Sequence, residues 1–116
     1  MIEKTKVICL CGSTRFTEQM LLKQWELTKQ GNVVLTWCAL PNSYFENNNM
    51  KDFSHIGDQE NIKELIDEVH KRKIDLSDEV LVINVDDYIG DSTKSEVCYA
   101  IEHDIPVKWM YPHKES

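Results

Sequence analysis

The chain is expected to fold as an α/β domain built on a small, doubly wound parallel sheet. Short apolar runs of strand length alternate along it with stretches of helical periodicity. The run Val80-Leu81-Val82-Ile83-Asn84-Val85 has the composition of a central parallel strand, buried on both faces. The first apolar run ends in Gly12-Ser13, a turn suited to passing from a strand into a helix.

Residues 6–11, Lys-Val-Ile-Cys-Leu-Cys, read as a buried strand. A helix follows, beginning between Thr14 and Thr17 and stopping before Gly31, the residue type favoured just past a helix C-terminus. Phe16, Met20 and Leu27 share one stripe with Leu21 at its flank, whereas Leu22 and Trp25 point elsewhere. This helix is expected to bury a second face, against its own domain or, in the reading favoured here, against another copy of the chain in a dimer. Val33-Val34-Leu35-Thr36-Trp37-Cys38-Ala39 reads as a second strand closed by Pro41-Asn42. Residues 40–57, with asparagines at 47 to 49 and the aromatics Tyr44, Phe45 and Phe53, read as a disordered loop or a functional lid. Asp58 is placed as the cap of a helix in which Ile62, Leu65, Ile66 and Val69 recur at helical spacing. After the central strand and a loop over 86–95, a helix over 96–103 is expected to turn Val97, Ala100 and Ile101 inward. Residues 105–110 form the last strand, with Pro106 allowable at its beginning.

The element order β-α-β-α-β-α-β, with right-handed crossovers, gives strand order 2-1-3-4 in a flavodoxin- or Rossmann-like sheet. The Gly12 turn and the loop running from Asp86 to Glu96 then lie on either side of the switch point, where such folds hold their ligand.

A chain of 116 residues is read as one domain over 1–116. It is long enough to bury roughly two-thirds of its unfolded surface without staples. The net charge of -7 repels a nucleic-acid backbone, so no nucleic acid is expected as partner. No run approaches the ~18 apolar residues of a membrane span, and the chain reads as cytoplasmic. The cysteines at 9, 11, 38 and 98 lack the paired spacing of zinc sites or disulfide frameworks. Cys9 and Cys11 share one face of a strand and are assigned to the core, and the histidines at 55, 70, 103 and 113 lack ligand spacing, so no metal is expected.

Glu96 is the residue to which chemistry is assigned. It follows the central strand and a loop, at what reads as the start of a helix whose partial positive charge would keep a carboxylate ionised and poised as a nucleophile. The competing reading of Thr93-x-x-Glu96 is a capping box. In Cys11-Gly12-Ser13-Thr14-Arg15, glycine permits close backbone approach and Arg15 can grip a phosphate.

Cys11-Gly12-Ser13-Thr14-Arg15, Asp78 before an apolar strand, and Gly90-Asp91-Ser92-Thr93-x-x-Glu96-x-x-x-Ala100 followed by Ile105-Pro106-Val107 resemble the nucleoside 2-deoxyribosyltransferase superfamily. Within it they resemble the 2'-deoxynucleoside 5'-phosphate N-hydrolases. The similarity runs from residue 7 to about 110 and is most specific in the C-terminal block. The resemblance implies that Glu96 attacks the anomeric carbon of a deoxyribose in a two-step retaining reaction. It also implies that Gly12, Ser13 and Arg15 contact the phosphate or 5'-hydroxyl, with Ser92 completing the contact. Asn84 and Gly90 are counted as further substrate contacts. No cofactor is implied, and the partner is a small nucleoside or nucleotide.

The chain departs from the family pattern at two positions. His70 stands where the family usually has an aspartate that helps protonate the leaving base, so His70 is either the candidate acid, with Asp91 and Asp75 as alternatives, or a solvated helix residue. Gly90 stands where an aspartate orients the sugar. The reading is therefore cleavage or transfer at an N-glycosidic bond. The rivals are a non-catalytic module sensing a nucleotide-derived ligand and a flavin mononucleotide-binding reductase.

Overall fold

The computed structural model describes residues 5–37 and 56–114, with side chains of the helix that opens at Ile56 described from residue 63. The lid or loop expected over 40–57 therefore lies outside the described residues, except that 56 and 57 already belong to that helix. No described helix is long and apolar enough to cross a membrane.

Strand β1 is Val7–Gly12 and leads through a 3-10 turn, Thr14–Phe16, into helix α1, Thr17–Lys29. Ser13 caps that turn, its hydroxyl accepting from the Arg15 amide at 3.2 Å. Gly31 follows α1 with φ 93, the left-handed conformation that glycine adopts at no steric cost. The remaining elements are β2 Val33–Leu35, α2 Ile56–Asp75, β3 Glu79–Ile83, α3 Asp91–Glu102 and β4 Val107–Trp109.

The sheet is all parallel, in the order β2-β1-β3-β4, as expected. Register sets Val7 against Val33, Cys11 against Val82 and Val80 against Val107. Ile8, Leu10 and Ile83 pack with Phe16 and Met20 in one layer, while Cys9, Cys11, Val80 and Val82 pack with Ile74, Val97 and Ala100 in the other. Each large apolar side chain buried there contributes about 1.5–3 kcal/mol. At the opposite end from the turn, buried Glu79 takes Lys6 at 3.2 Å and Lys108 at 3.3 Å, joining three strands.

Several boundaries differ from expectation for local reasons. The second strand stops at Leu35 because the Thr36 carbonyl accepts from Lys73 Nζ at 2.6 Å rather than from a neighbouring strand, and Trp37 folds onto Gly12. Asp58 lies inside α2, which begins at Ile56, so it is not the cap. On α2 the buried stripe is His70 and Ile74, with Ile66 half-buried; Leu65 and Val69 are 62% and 45% exposed. A polar residue thus occupies the inward position that hydrophobic periodicity gave to its neighbours. Helix α3 begins at Asp91, five residues earlier than expected, and Ile101 faces outward.

Candidate active site

The earlier start of α3 changes the standing of Glu96. Gly90 occupies the cap position, and Thr93 and Glu96 both lie within the helix, so the capping box does not form. Glu96 is the sixth residue of α3, in its second turn, with its side chain turned down onto the sheet and 7% exposed.

Three elements bring polar groups to this spot. Cys9 and Cys11 rise from β1 on the same face, both fully buried. His70 descends from α2, 3% exposed, its Nε2 lying 3.5 Å from Cys9 Sγ and 3.3 Å from Cys11 Sγ. Glu96 closes the group from α3, its Oε1 3.9 Å from the same Nε2. One turn before His70, Asp67 Oδ2 accepts from Ser92 Oγ at 3.4 Å, and Ser92 sits one turn before Glu96. The facing sides of α2 and α3 therefore carry Asp67, His70, Ser92 and Glu96 above the two thiols.

Burial pushes the Glu96 carboxyl up to about 7, with nearby Asp67 adding to the rise and His70 and Cys11 opposing it. This corrects the expectation of a carboxylate kept ionised by a helix terminus: in the second turn, desolvation outweighs the dipole. For His70, burial favours the neutral ring, but the hydrogen bond with Cys9 and the charges of Glu96 and Cys9 outweigh it and raise its pKa. The two thiols are coupled. Cys9 is lowered to about 5 by its hydrogen bond with Cys11 and by His70, while Cys11 is raised by Cys9 and by burial. A second thiolate beside the first is thus disfavoured.

The remaining expected site residues border the cluster or lie away from it. Asp91 opens α3 exposed, five residues from Glu96 and so on another face of the helix; it is not brought to the cluster. Asp75 is held elsewhere, by the Tyr99 hydroxyl at 2.6 Å and Arg72 Nε at 2.9 Å. Gly12 and Ser13 continue directly from Cys11 and so border the cluster, but a Cβ at Gly12 would meet the Ile83 carbonyl and Trp37 at 3.2 Å. Its close approach is to the protein's own backbone and indole. The Arg15 guanidinium lies 4.0 Å over the Tyr88 ring, which in turn meets Phe16 edge-on, so the first turn is clasped to the loop after β3. Gly90 lies in that loop with open space around it except for the Tyr88 hydroxyl at 3.7 Å.

Asn84 is fully buried and fully engaged. Its Nδ2 donates to Asp87 Oδ1 and to the Tyr111 carbonyl, both at 3.0 Å, and its Oδ1 accepts from the Tyr111 amide at 2.9 Å. No amide proton remains for a substrate, and the residue fastens the segment after β4 to the end of β3.

Sequence reasoning did not single out Asp67, nor the meeting of Cys9 and Cys11 with His70. Asp67 had a findable signal, one helical turn before His70 on the same face. The thiol–imidazole meeting had none, since the residues are 59 and 61 positions apart. Comparison with known proteins finds no family model, no curated protein and no solved structure that matches the chain.

Proposed function

We propose that this protein cleaves or transfers at the N-glycosidic bond of a (deoxy)nucleoside or its 5'-monophosphate, with Glu96 as nucleophile. The observation that carries the reading is the buried Glu96 carboxyl set against His70, beside the strand end that leads into the Gly12-Ser13 turn. A retaining glycosyl transfer uses one ionised carboxylate as nucleophile and a second titratable group as acid, and Glu96 and His70 supply such a pair, with Glu96 acting in its ionised form. The resemblance of the Gly90 to Ala100 block to the nucleoside 2-deoxyribosyltransferase superfamily supports the same assignment.

In the first step a Glu96 oxygen bonds to the anomeric carbon as the carbon–nitrogen bond breaks. The electron pair of that bond leaves with the base, which takes a proton from His70. In the second step water or an acceptor base attacks the same carbon, His70 takes back the proton that the attacking group loses, and Glu96 departs as carboxylate. In this reading Arg15, in the turn that follows β1, is the cation that meets a 5'-phosphate. Two copies of the chain and a cytoplasmic setting belong to this reading.

The test is incubation of wild-type and Glu96→Ala protein with ribo- and deoxynucleosides and their 5'-monophosphates, following free base by chromatography. Release by wild type alone supports the proposal. Thermal stabilisation by a nucleotide without release by either protein would make this a binding module instead.

A further inference from the structure

Cys9, Cys11 and His70 present three soft or borderline donor atoms to one another, all within 4.8 Å, from side chains that are wholly or almost wholly buried. In a tetrahedral zinc site, sulfur at about 2.3 Å and nitrogen at about 2.0 Å from the ion lie about 3.5 Å apart. The observed sulfur–nitrogen distances are 3.5 and 3.3 Å. Glu96 Oε1 lies 3.9 Å from the same nitrogen, and a shift of about half an ångström would bring it to the spacing of a fourth ligand.

The alternatives explain less. A Cys9–Cys11 disulfide is unfavourable, because residues two apart on an extended strand have Cα atoms separated by about 6.5–7 Å, at or beyond the usual limit of the bridge. Simple core packing would be served better by an apolar residue than by a histidine 3% exposed whose Nδ1 has no hydrogen-bond partner among the described residues. A cation held by both sulfurs and Nε2 would account for a ring turned with Nε2 toward the two thiols, although Nδ1 stays without an acceptor among the described residues.

We propose that Cys9, Cys11 and His70, with Glu96 as fourth donor, bind one thiophilic divalent cation of the zinc class. Binding breaks the S–H bond of each thiol still protonated and releases those protons to solvent; Nε2 binds through its lone pair, with the ring proton on Nδ1. The described residues give Nδ1 no acceptor, so affinity should fall roughly 10–100-fold below that of a site with this outer contact. The ion occupies the carboxylate that the glycosidic reading uses, so zinc would suppress base release where that release occurs. The binding measurements contain no nucleotide and stand apart from that reading.

Reduced, metal-stripped full-length protein would be titrated with cobalt(II) and then zinc(II). The expected result is one equivalent of cobalt per chain, with the intense visible bands of tetrahedral cobalt and a near-ultraviolet thiolate charge-transfer band, both erased by zinc. Cys9→Ser, Cys11→Ser and His70→Gln should each weaken zinc by more than about 100-fold, exceeding the loss of an outer-shell contact. Glu96→Gln should weaken it less, and Cys98→Ser, at an exposed position on α3, not at all. A pale octahedral spectrum without charge transfer, or unchanged zinc affinity in the Cys9→Ser/Cys11→Ser double variant, overturns the proposal. Should the serine variants fail to fold, alkylation of wild type decides: zinc must slow modification of Cys9 and Cys11 but not Cys98, and equal rates with and without zinc overturn it.

Discussion

His70 Nε2 and Glu96 Oε1 face each other across 3.9 Å between α2 and α3, each side chain less than a tenth exposed. Two ionisable groups so placed cannot titrate independently, and neither is surrounded by water that would screen the other. If Glu96 is the nucleophile, Glu96→Gln should cut turnover by about 10⁴-fold or more, as removal of a covalent catalyst does elsewhere. His70→Gln should cut it by about 10²-fold if His70 donates to the leaving base. Single-turnover base release with a nucleotide whose base already leaves easily separates the roles. The His70 defect should shrink with such a substrate, and the Glu96 defect should persist.

The raised carboxyl of Glu96 carries a sign for stability. With a native value of about 7 against 4.5 in the unfolded chain, the folded state holds a proton that the unfolded state has released. Its contribution is fully present below about pH 4.5 and is lost as pH rises through about 7, up to about 3 kcal/mol in all. His70, also raised, acts in the same direction, whereas Cys9, lowered to about 5, acts in the opposite one. Comparison with Glu96→Gln isolates the carboxyl. In urea denaturation of metal-free protein between about pH 5 and pH 8, the stability of wild type relative to Glu96→Gln should fall steadily. A difference that does not change with pH would mean that Glu96 ionises normally.

The sheet order was legible because it rests on features that local sequence records: apolar runs of strand length, a glycine after α1, and right-handed crossovers. The start of α3 was not. Asp91, Ser92 and Thr93 each suit a cap, and the chain uses Gly90, whose extended backbone leads directly into the helix. That choice, five residues from the expected start, is what turns Glu96 from a terminal carboxylate into a buried one. The inward face of α2 was misread for a related reason. Leu65 and Val69 follow hydrophobic periodicity, yet His70 takes the buried place because Cys9, Cys11 and Glu96 form a polar recess for it. Pattern reasoning ranks positions by apolarity and has no means to see a partner 59 residues away.

Asn84 offers a test of structural rather than substrate-binding character. All three of its hydrogen bonds are internal, and removing the side chain leaves the Tyr111 amide and carbonyl without their partner. Asn84→Ala should cost about 1–3 kcal/mol or more in equilibrium denaturation. Among folded molecules, the apparent Kd for any nucleotide should be unchanged. A loss of nucleotide affinity at full stability would return Asn84 to the binding site.

Helix α1 carries the last prediction. Phe16 and Met20 are spent on the layer beneath it, yet Leu21, Leu22 and Trp25 stand 55%, 61% and 63% exposed on its other side. An indole and two leucines so close together form a surface that association would cover with gain, since each buried methylene contributes about 0.8 kcal/mol. Lys29 Nζ, 5.5 Å from the Trp25 ring, leaves most of that ring uncovered. Wild type is therefore expected to sediment as a dimer at micromolar concentration, and Trp25→Glu as a monomer, because a dimer would then bury a carboxylate on each side. The melting temperature of Trp25→Glu should lose the concentration dependence expected of wild type. If both proteins sediment as monomers, the exposed face of α1 is not a subunit contact.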